Sequence, residues 1–158
     1  MSWVKYGKRY GSVRVTVDVD GGAIRRADIA FVETDVDERP FDTMSPELDE
    51  ALERYFAGVG WSLGEFPLDE RGLTDFEKRV YGELRRVPQG TTVTYGELAR
   101  RVGNPRAARA VGGALARNPF LLFVPCHRVV AAQGAGGWSG RPGMKEFLLR
   151  IEGVRFEQ

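Results

Sequence analysis

Two Thr-x-x-Glu sequences, Thr74 to Glu77 and Thr94 to Glu97, most constrain what this chain can fold into. Each is a capping box, in which the threonine and glutamate side chains satisfy backbone N–H groups at the start of a helix. Asn104-Pro105 supplies a third helix start, with asparagine as the N-cap and proline as the first helical residue. These signals predict three short helices in the second half of the chain, the last one running to about Arg117.

The first half of the chain has the alternation that is typical of β-strands. Residues 13–19 alternate valine with polar side chains, the period-two pattern of a strand with one buried face. Gly21 and Gly22 favour a tight turn, and residues 23–32 are predicted to return as a second strand. Residues 34–44 are acidic and irregular, which predicts a loop.

A helix and a further strand complete this half. Ser45 as N-cap and Pro46 as first helical residue predict a helix that ends near Gly58. Residues 61–68 are predicted to form another strand. The polar residues 69–72 that follow suit a linker.

Charge also divides the chain near residue 72. The net charge of the 158 residues is only +1. Residues 1–72, however, carry nine Lys/Arg against fifteen Asp/Glu, and residues 73–158 carry fourteen against seven. We therefore predict an α/β domain over 1–72 and a second domain over 73–158 that faces an anionic partner. Chance clustering of charges on solvated faces is the alternative.

The counts of cysteine and histidine exclude several classes of site. With one cysteine, Cys126, and one histidine, His127, the chain forms neither an intramolecular disulfide nor a Cys/His zinc site. A magnesium or calcium site built from carboxylates stays open. The longest apolar run, Phe120–Val124, is far shorter than the ~18 residues of a membrane span. We expect a monomeric globular protein of the reducing cytoplasm, with no membrane partner and no secretory signal.

The second and third predicted helices, joined by a turn at Gly103, match a helix-turn-helix. Any corner between two helices shares this pattern, so DNA binding and a purely structural role both remain open. Residues 106–117 carry almost no side chain suited to reading base edges. Small residues there would let the backbone approach DNA closely, which is typical of sequence-independent binding. The same small residues equally permit close packing of helices.

The apolar run delivers Cys126 and His127 side by side. A thiol becomes a strong nucleophile when a base or a positive environment ionises it. Lone cysteines are usually small buried hydrophobes, but His127 and Arg128 follow here in an apolar stretch that makes their burial costly. Since adjacent side chains of a strand point to opposite faces, we expect a chain bend or a bridging water between Cys126 and His127. The C-terminal helix ending at Glu152-Gly153 is the candidate source of an orienting partner for His127.

Three segments together resemble the O6-alkylguanine-DNA alkyltransferase family: Pro125-Cys-His-Arg-Val129, Arg109-Ala-Val-Gly-Gly-Ala114 and Asn118-Pro119. The resemblance is dense from about Thr74 to Gly153. It implies a ribonuclease H-like N-terminal module and a mainly helical C-terminal module with a winged-helix-like helix-turn-helix. It also implies irreversible, stoichiometric alkyl transfer from O6-alkylguanine in double-stranded DNA, with O4-alkylthymine as a candidate second substrate and with no cofactor. The zinc ligands that several relatives carry in the first module are absent from this sequence.

The resemblance assigns catalytic roles residue by residue. Cys126 is the alkyl acceptor, His127 is its base acting through a water, and Glu152 orients His127. Asn118 holds the chain before the active-site turn. Tyr95 supports flipping of the nucleotide and donates a proton to the departing guanine.

The resemblance likewise assigns binding residues. Arg109 is the finger inserted into the duplex where the damaged base leaves. The full DNA-binding set comprises Thr94, Tyr95, Arg106, Ala108, Arg109 and Arg128, and the substrate pocket comprises Tyr95, Val129, Trp138 and Ser139.

Three other functions compete with alkyl transfer. An alkyltransferase-like protein would bind lesions without repairing them, although the presence of Cys126 argues against this. A helix-turn-helix regulator would use the cysteine only structurally. A cysteine hydrolase would turn over repeatedly and ignore DNA, whereas a thioether product that the chain cannot regenerate limits an alkyl acceptor to one turnover.

Overall fold

The computed structural model describes residues 3–33, 42–60, 63–132 and 142–155. The chain divides into two compact units, one formed by Met1–Asp69 with Pro119–Phe123 and the other by Glu70–Asn118 with Val124–Gln158. The sequence places Pro119–Phe123 in the second domain, whereas the structure groups this segment with the first. The reason is a pair of backbone hydrogen bonds on Ala27, whose N–H donates to Pro119 O (2.9 Å) and whose carbonyl accepts from Leu121 N (3.2 Å).

The first unit contains a three-stranded antiparallel sheet. Its strands are β1 (Trp3–Tyr10), β2 (Val13–Asp20) and β3 (Ala23–Phe31), in the order β1-β2-β3. The alternating valines do form a strand, β2, whose odd positions Val13, Val15 and Val17 are buried. Strand β1 was not predicted, because its own sequence lacks clear alternation and its ladder depends on pairing with β2.

One helix, α1 (Pro46–Phe56), packs on this sheet. The Phe56 ring stacks on Tyr10 of β1 with 5.5 Å between the ring centroids. Ser45 is the N-cap residue as predicted, but its side chain makes no capping hydrogen bond. The strand predicted over residues 61–68 is wrong: Leu63–Glu65 is a 3₁₀ turn, and Leu68 makes only an isolated bridge to Ile24. Gly64 and Pro67 explain this, since neither residue type supports a regular strand interior.

The second unit is mainly helical. Its elements are α2 (Asp75–Leu84), the short strand β4 (Val93–Thr94), α3 (Tyr95–Arg101), α4 (Ala108–Ala116), the short strand β5 (Val129–Val130) and α5 (Met144–Ile151). Strands β4 and β5 pair in parallel, which the sequence did not indicate. None of the helices in the described ranges is long and apolar enough to cross a membrane.

The predicted helix starts in this unit have different outcomes. The Thr74 capping box is complete: Glu77 N donates to Thr74 Oγ1 (3.1 Å) and Thr74 N donates to Glu77 Oε1 (2.9 Å). Thr94 Oγ1 also accepts from Glu97 N (3.1 Å), and it caps α3. The start of α4 at Asn104-Pro105 is wrong. Asn104 forms a turn there, since its carbonyl accepts from Ala107 N (3.0 Å). The helix therefore begins only at Ala108.

The two N-caps give a matched test of this local structure. Replacing Thr74 with alanine should lower the free energy of unfolding by about 1 kcal/mol, because a first-turn N–H loses its acceptor. Ser45→Ala should change it by less than about 0.5 kcal/mol, because that side chain makes no capping bond. Urea unfolding followed by circular dichroism measures both values. Equal losses would show that the caps are not distinguished by their hydrogen bonds.

Candidate functional site

Cys126, His127 and Arg128 form one 3₁₀ turn, which we call the Cys126 turn. The Cys126 N–H donates to Val124 O (2.8 Å), and Arg128 N–H donates to Pro125 O (2.9 Å). The backbone therefore bends at Cys126 and His127 instead of continuing as a strand. Cys126 is 8% exposed and His127 1% exposed, so both reactive groups lie in the interior of the unit.

Glu152 provides the partner of His127. It is the C-cap residue of α5, and its Oε2 lies 2.5 Å from His127 Nε2, with both side chains fully buried. Burial by itself would raise the pKa of the Glu152 carboxyl. The hydrogen bonds from His127 and Arg128, together with the permanent charge of the Arg128 guanidinium, outweigh burial and hold that pKa below its ordinary value. Glu152 is therefore ionised at neutral pH.

His127 is uncharged in these surroundings. Burial lowers its pKa, Glu152 raises it, and the positive charges of Arg128 and Lys145 lower it further, with a net decrease. An ionised Glu152 accepts hydrogen bonds only, so we assign the imidazole proton to Nε2. Nδ1 is then the basic nitrogen of the ring.

Arg128, which the resemblance assigns to the DNA-binding set, is directed largely into the interior of the unit. Its Nε donates to Glu152 Oε1 (2.7 Å), and its Nη1 donates to Val87 O (2.8 Å). The side chain is only 11% exposed. Sequence reasoning could not foresee this direction, because Glu152 and Val87 are 24 and 41 residues away along the chain.

Asn118 contacts the segment that enters the Cys126 turn. Its Nδ2 donates to Val124 O (3.0 Å), the same carbonyl that accepts the Cys126 N–H. The amide side chain is buried, and it ties the end of α4 to the residue two before the cysteine. This placement agrees with a role in holding the turn.

Tyr95 also borders Cys126. It is the first residue of α3, it is half-buried, and burial followed by the charge of Cys126 raises the pKa of its phenol. A Cβ at Gly112 of α4 would lie 3.9 Å from the Tyr95 ring, so α3 and α4 pack closely here. Val129, which follows the Cys126 turn, is buried in β5 opposite Val93.

The remaining binding candidates lie around the start of α4. Arg109 is exposed in its first turn, Ala108 is half-buried beside it, and Arg106 is exposed in the preceding turn rather than on the helix. Thr94 is half-buried and caps α3. The predicted pocket residues Trp138 and Ser139 lie outside the described residues.

Lys145 is a charged residue of the site that sequence reasoning missed. It lies in the first turn of α5 and is only 3% exposed. Burial lowers the pKa of its ammonium group, whereas the charge of Cys126 raises it, so the two side chains are close enough to interact. A lysine between Met144 and Glu146 looks like an ordinary surface residue in the sequence.

A family model described as "6-O-methylguanine DNA methyltransferase, DNA binding domain" matches residues 75–154. A methylated-DNA–protein-cysteine methyltransferase of Methanosarcina acetivorans is 47% identical over 108 residues, which cover 68% of each chain. A DNA base-flipping protein of Thermus thermophilus is 48% identical over 106 residues, 66% of this chain and 71% of the relative.

Solved structures agree with these matches over almost the whole chain. Mycobacterium tuberculosis OGT in complex with DNA is 32% identical, with a TM-score of 0.78 over 94% of this chain and 92% of that one. The O6-methylguanine-DNA methyltransferase of Pyrococcus kodakaraensis is 31% identical, with a TM-score of 0.73 over 97% and 100%. On its sequence and its α/β fold with a small sheet, the chain belongs to the 6-O-methylguanine DNA methyltransferase family.

Proposed function

We propose that this chain repairs O6-alkylguanine in double-stranded DNA by moving the alkyl group onto the sulfur of Cys126. The observation that carries the proposal is the arrangement of the Cys126 turn, where the one thiol of the chain lies next to a histidine paired with a buried carboxylate. Family membership supplies the substrate class. Each molecule acts once, because no group in the chain can remove an alkyl group from a thioether.

The residues of the site divide the proton transfers between them. His127 Nδ1 accepts the Cys126 proton through a water, while Glu152 holds the imidazole by Nε2–H. The thiolate forms a bond to the alkyl carbon as the bond from that carbon to guanine O6 breaks. Tyr95 donates its phenolic proton to the departing guanine, and its raised pKa keeps that proton in place until then.

Contact with DNA is assigned to the start of α4. Arg106 and Arg109 are exposed there, and the half-buried Ala108 between them leaves room for close approach of a duplex. Since an alkylated base is stacked inside the helix, it must leave the stack before Cys126 can reach it, at a cost of about a few kcal/mol. We assign Arg109 to the space the base vacates, and Thr94 to the adjacent contact surface.

Several finer points remain part of this proposal. We infer that the sheet module is ribonuclease H-like and the helical module winged-helix-like, with domains over 1–72 and 73–158 apart from the segment Pro119–Phe123, which groups with the first unit. Val129, Trp138 and Ser139 complete the substrate pocket with Tyr95. A monomer in the cytoplasm fits a chain with a single thiol that must stay reduced.

Lesion binding without repair is the second candidate function. It is favoured by the similarity to a relative named as a DNA base-flipping protein. The thiol at position 126 in its buried histidine-paired turn weighs against it, because binding alone needs no nucleophile. The two functions differ in whether a covalent bond forms.

Incubation with a duplex that contains O6-methylguanine should add one methyl group to the protein, on Cys126. Intact mass measurement followed by peptide mapping gives the stoichiometry and the position, and Cys126→Ala should gain nothing while still binding the duplex. Transfer to Cys126→Ala, or more than one methyl group per chain, would contradict the proposal. Unmodified protein bound to an intact lesion would favour the second candidate.

Glu152→Gln should slow methyl transfer by roughly 10- to 100-fold, because the neutral amide holds His127 less firmly and in no fixed tautomer. Lesion affinity should change little. The measurement is a single-turnover rate with duplex substrate. Glu77→Gln is the matched control, since Glu77 is also a buried glutamate that accepts from an arginine Nε (Arg117, 3.1 Å). An unchanged rate in Glu152→Gln would remove Glu152 from the mechanism.

Arg109→Ala should slow repair of duplex DNA much more than reaction with free O6-benzylguanine, because only the duplex leaves a gap to be filled. Arg86→Ala is the control, since Arg86 is also an exposed arginine and pairs with Glu83. A residue that only contacts phosphate would instead lower the slope of log affinity against log salt by about one. Equal losses with both substrates, together with a lower melting temperature, would show a structural role.

A further inference from the structure

Glu152 is bonded at both carboxylate oxygens. Oε2 faces His127 Nε2, and Oε1 accepts from Arg128 Nε at 2.7 Å. Rotation of the carboxylate would break at least one of these contacts. The orientation of His127 is therefore linked to the position of the Arg128 guanidinium.

Arg128 is itself fixed by the loop that follows α2. Its Nη1 donates to Val87 O at 2.8 Å. Three residues later, Gly90 has a φ of +86°, and a Cβ there would lie 3.2 Å from the Glu152 carbonyl oxygen. The loop thus lies against the backbone of Glu152, at the end of α5. Arg128 joins this loop, the end of α5 and the Cys126 turn.

The charges around His127 oppose one another. The ionised Glu152 favours the imidazolium form, whereas Arg128 and Lys145 disfavour it, as burial does. Tyr95 of α3 and Tyr81 of α2 are neutral groups that interact with the neighbouring Cys126. The permanently charged guanidinium of Arg128 pairs with the carboxylate that contacts His127. Removing the guanidinium would therefore raise the His127 pKa and favour the imidazolium form.

We propose that Arg128 is a positioning residue of the acceptor site, which holds Glu152 ionised and aimed at His127 and keeps His127 uncharged. An uncharged imidazole can accept the Cys126 proton, and an imidazolium cannot. The inference rests on the proposed role of Cys126 as alkyl acceptor. It replaces DNA contact as the function of Arg128.

The single histidine of the chain makes a direct test possible. Nuclear magnetic resonance of the His127 ring gives its pKa and its tautomer in the folded protein, without DNA or any alkylated substrate. Two variants separate charge from hydrogen bonding: Arg128→Gln removes the charge and keeps one N–H donor, and Arg128→Lys keeps the charge. Arg117→Gln is the matched control, because Arg117 also donates from Nε to a buried glutamate, Glu77.

In Arg128→Gln the His127 pKa should rise by about one unit, the lower end of what a neighbouring charge produces. In Arg128→Lys, which keeps the charge, the His127 pKa should stay close to that of the unsubstituted protein. Arg117→Gln should not change the His127 pKa. A structural role would lower the melting temperature of both Arg128 variants and leave the His127 pKa unchanged. That result in a folded Arg128→Gln protein would overturn the proposal.

The consequence for chemistry is tested separately. The acid limb of the single-turnover methyl transfer profile should move to higher pH in Arg128→Gln by the same amount as the His127 pKa. If the His127 pKa shifts but the acid limb of the rate profile stays at the same pH, the claim that transfer requires an uncharged His127 would be overturned. The proposed function fails if the mass of the unsubstituted protein shows no methylation. This inference fails if the unsubstituted protein is methylated but the Arg128 variants do not shift the His127 pKa or the acid limb as expected.

The hydrogen bond between Arg128 and Glu152 can also be observed directly in the unsubstituted protein, without Arg128→Gln. In the unsubstituted protein, the Nε–H signal of Arg128 is identified by its absence from the Arg128→Lys spectrum. Hydrogen bonding to a buried carboxylate should keep that signal visible at pH 8, where the signals of exposed arginines exchange away. Its absence at pH 8 would contradict the proposal even if Arg128→Gln does not fold.

Discussion

The interior of the second unit depends on a buried negative charge, the carboxylate of Glu152. An ionised group leaves water at a cost of several kcal/mol unless donors replace its hydration. Here one oxygen faces His127 and the other accepts from Arg128. The contact with His127 also determines which nitrogen of its ring is basic. Stability and chemistry at this site thus have a single physical origin.

The elements around that carboxylate each supply one part of the site. The 3₁₀ geometry of the Cys126 turn brings the thiol and the imidazole into one buried region. The end of α5 supplies Glu152, and the start of α3 supplies Tyr95. The exposed Arg109, at the start of α4, belongs to the surface we assign to DNA. The buried reactive groups and the exposed Arg109 thus belong to short helices and one 3₁₀ turn of the same unit.

Local signals in the sequence were sufficient for part of this structure. The caps at Thr74 and Thr94 involve hydrogen bonds three residues apart, and the alternating valines describe a single strand, so both could be predicted. The Cys126–His127 pair and its Glu152 partner followed from residue chemistry and from the family resemblance. Strand β1, the late start of α4 and the inward direction of Arg128 depend on pairing or contacts that the local sequence does not encode.

The central claim is that the alkyl group ends on the sulfur of Cys126. Incubation with a duplex whose O6-methylguanine carries a ¹³C-labelled methyl group, followed by carbon-detected magnetic resonance of the protein, observes the transferred carbon itself. We expect one S-methyl resonance per chain, and it should be missing in Cys126→Ser. A labelled methyl group that remains on guanine while the protein stays bound to the duplex would contradict the proposed reaction.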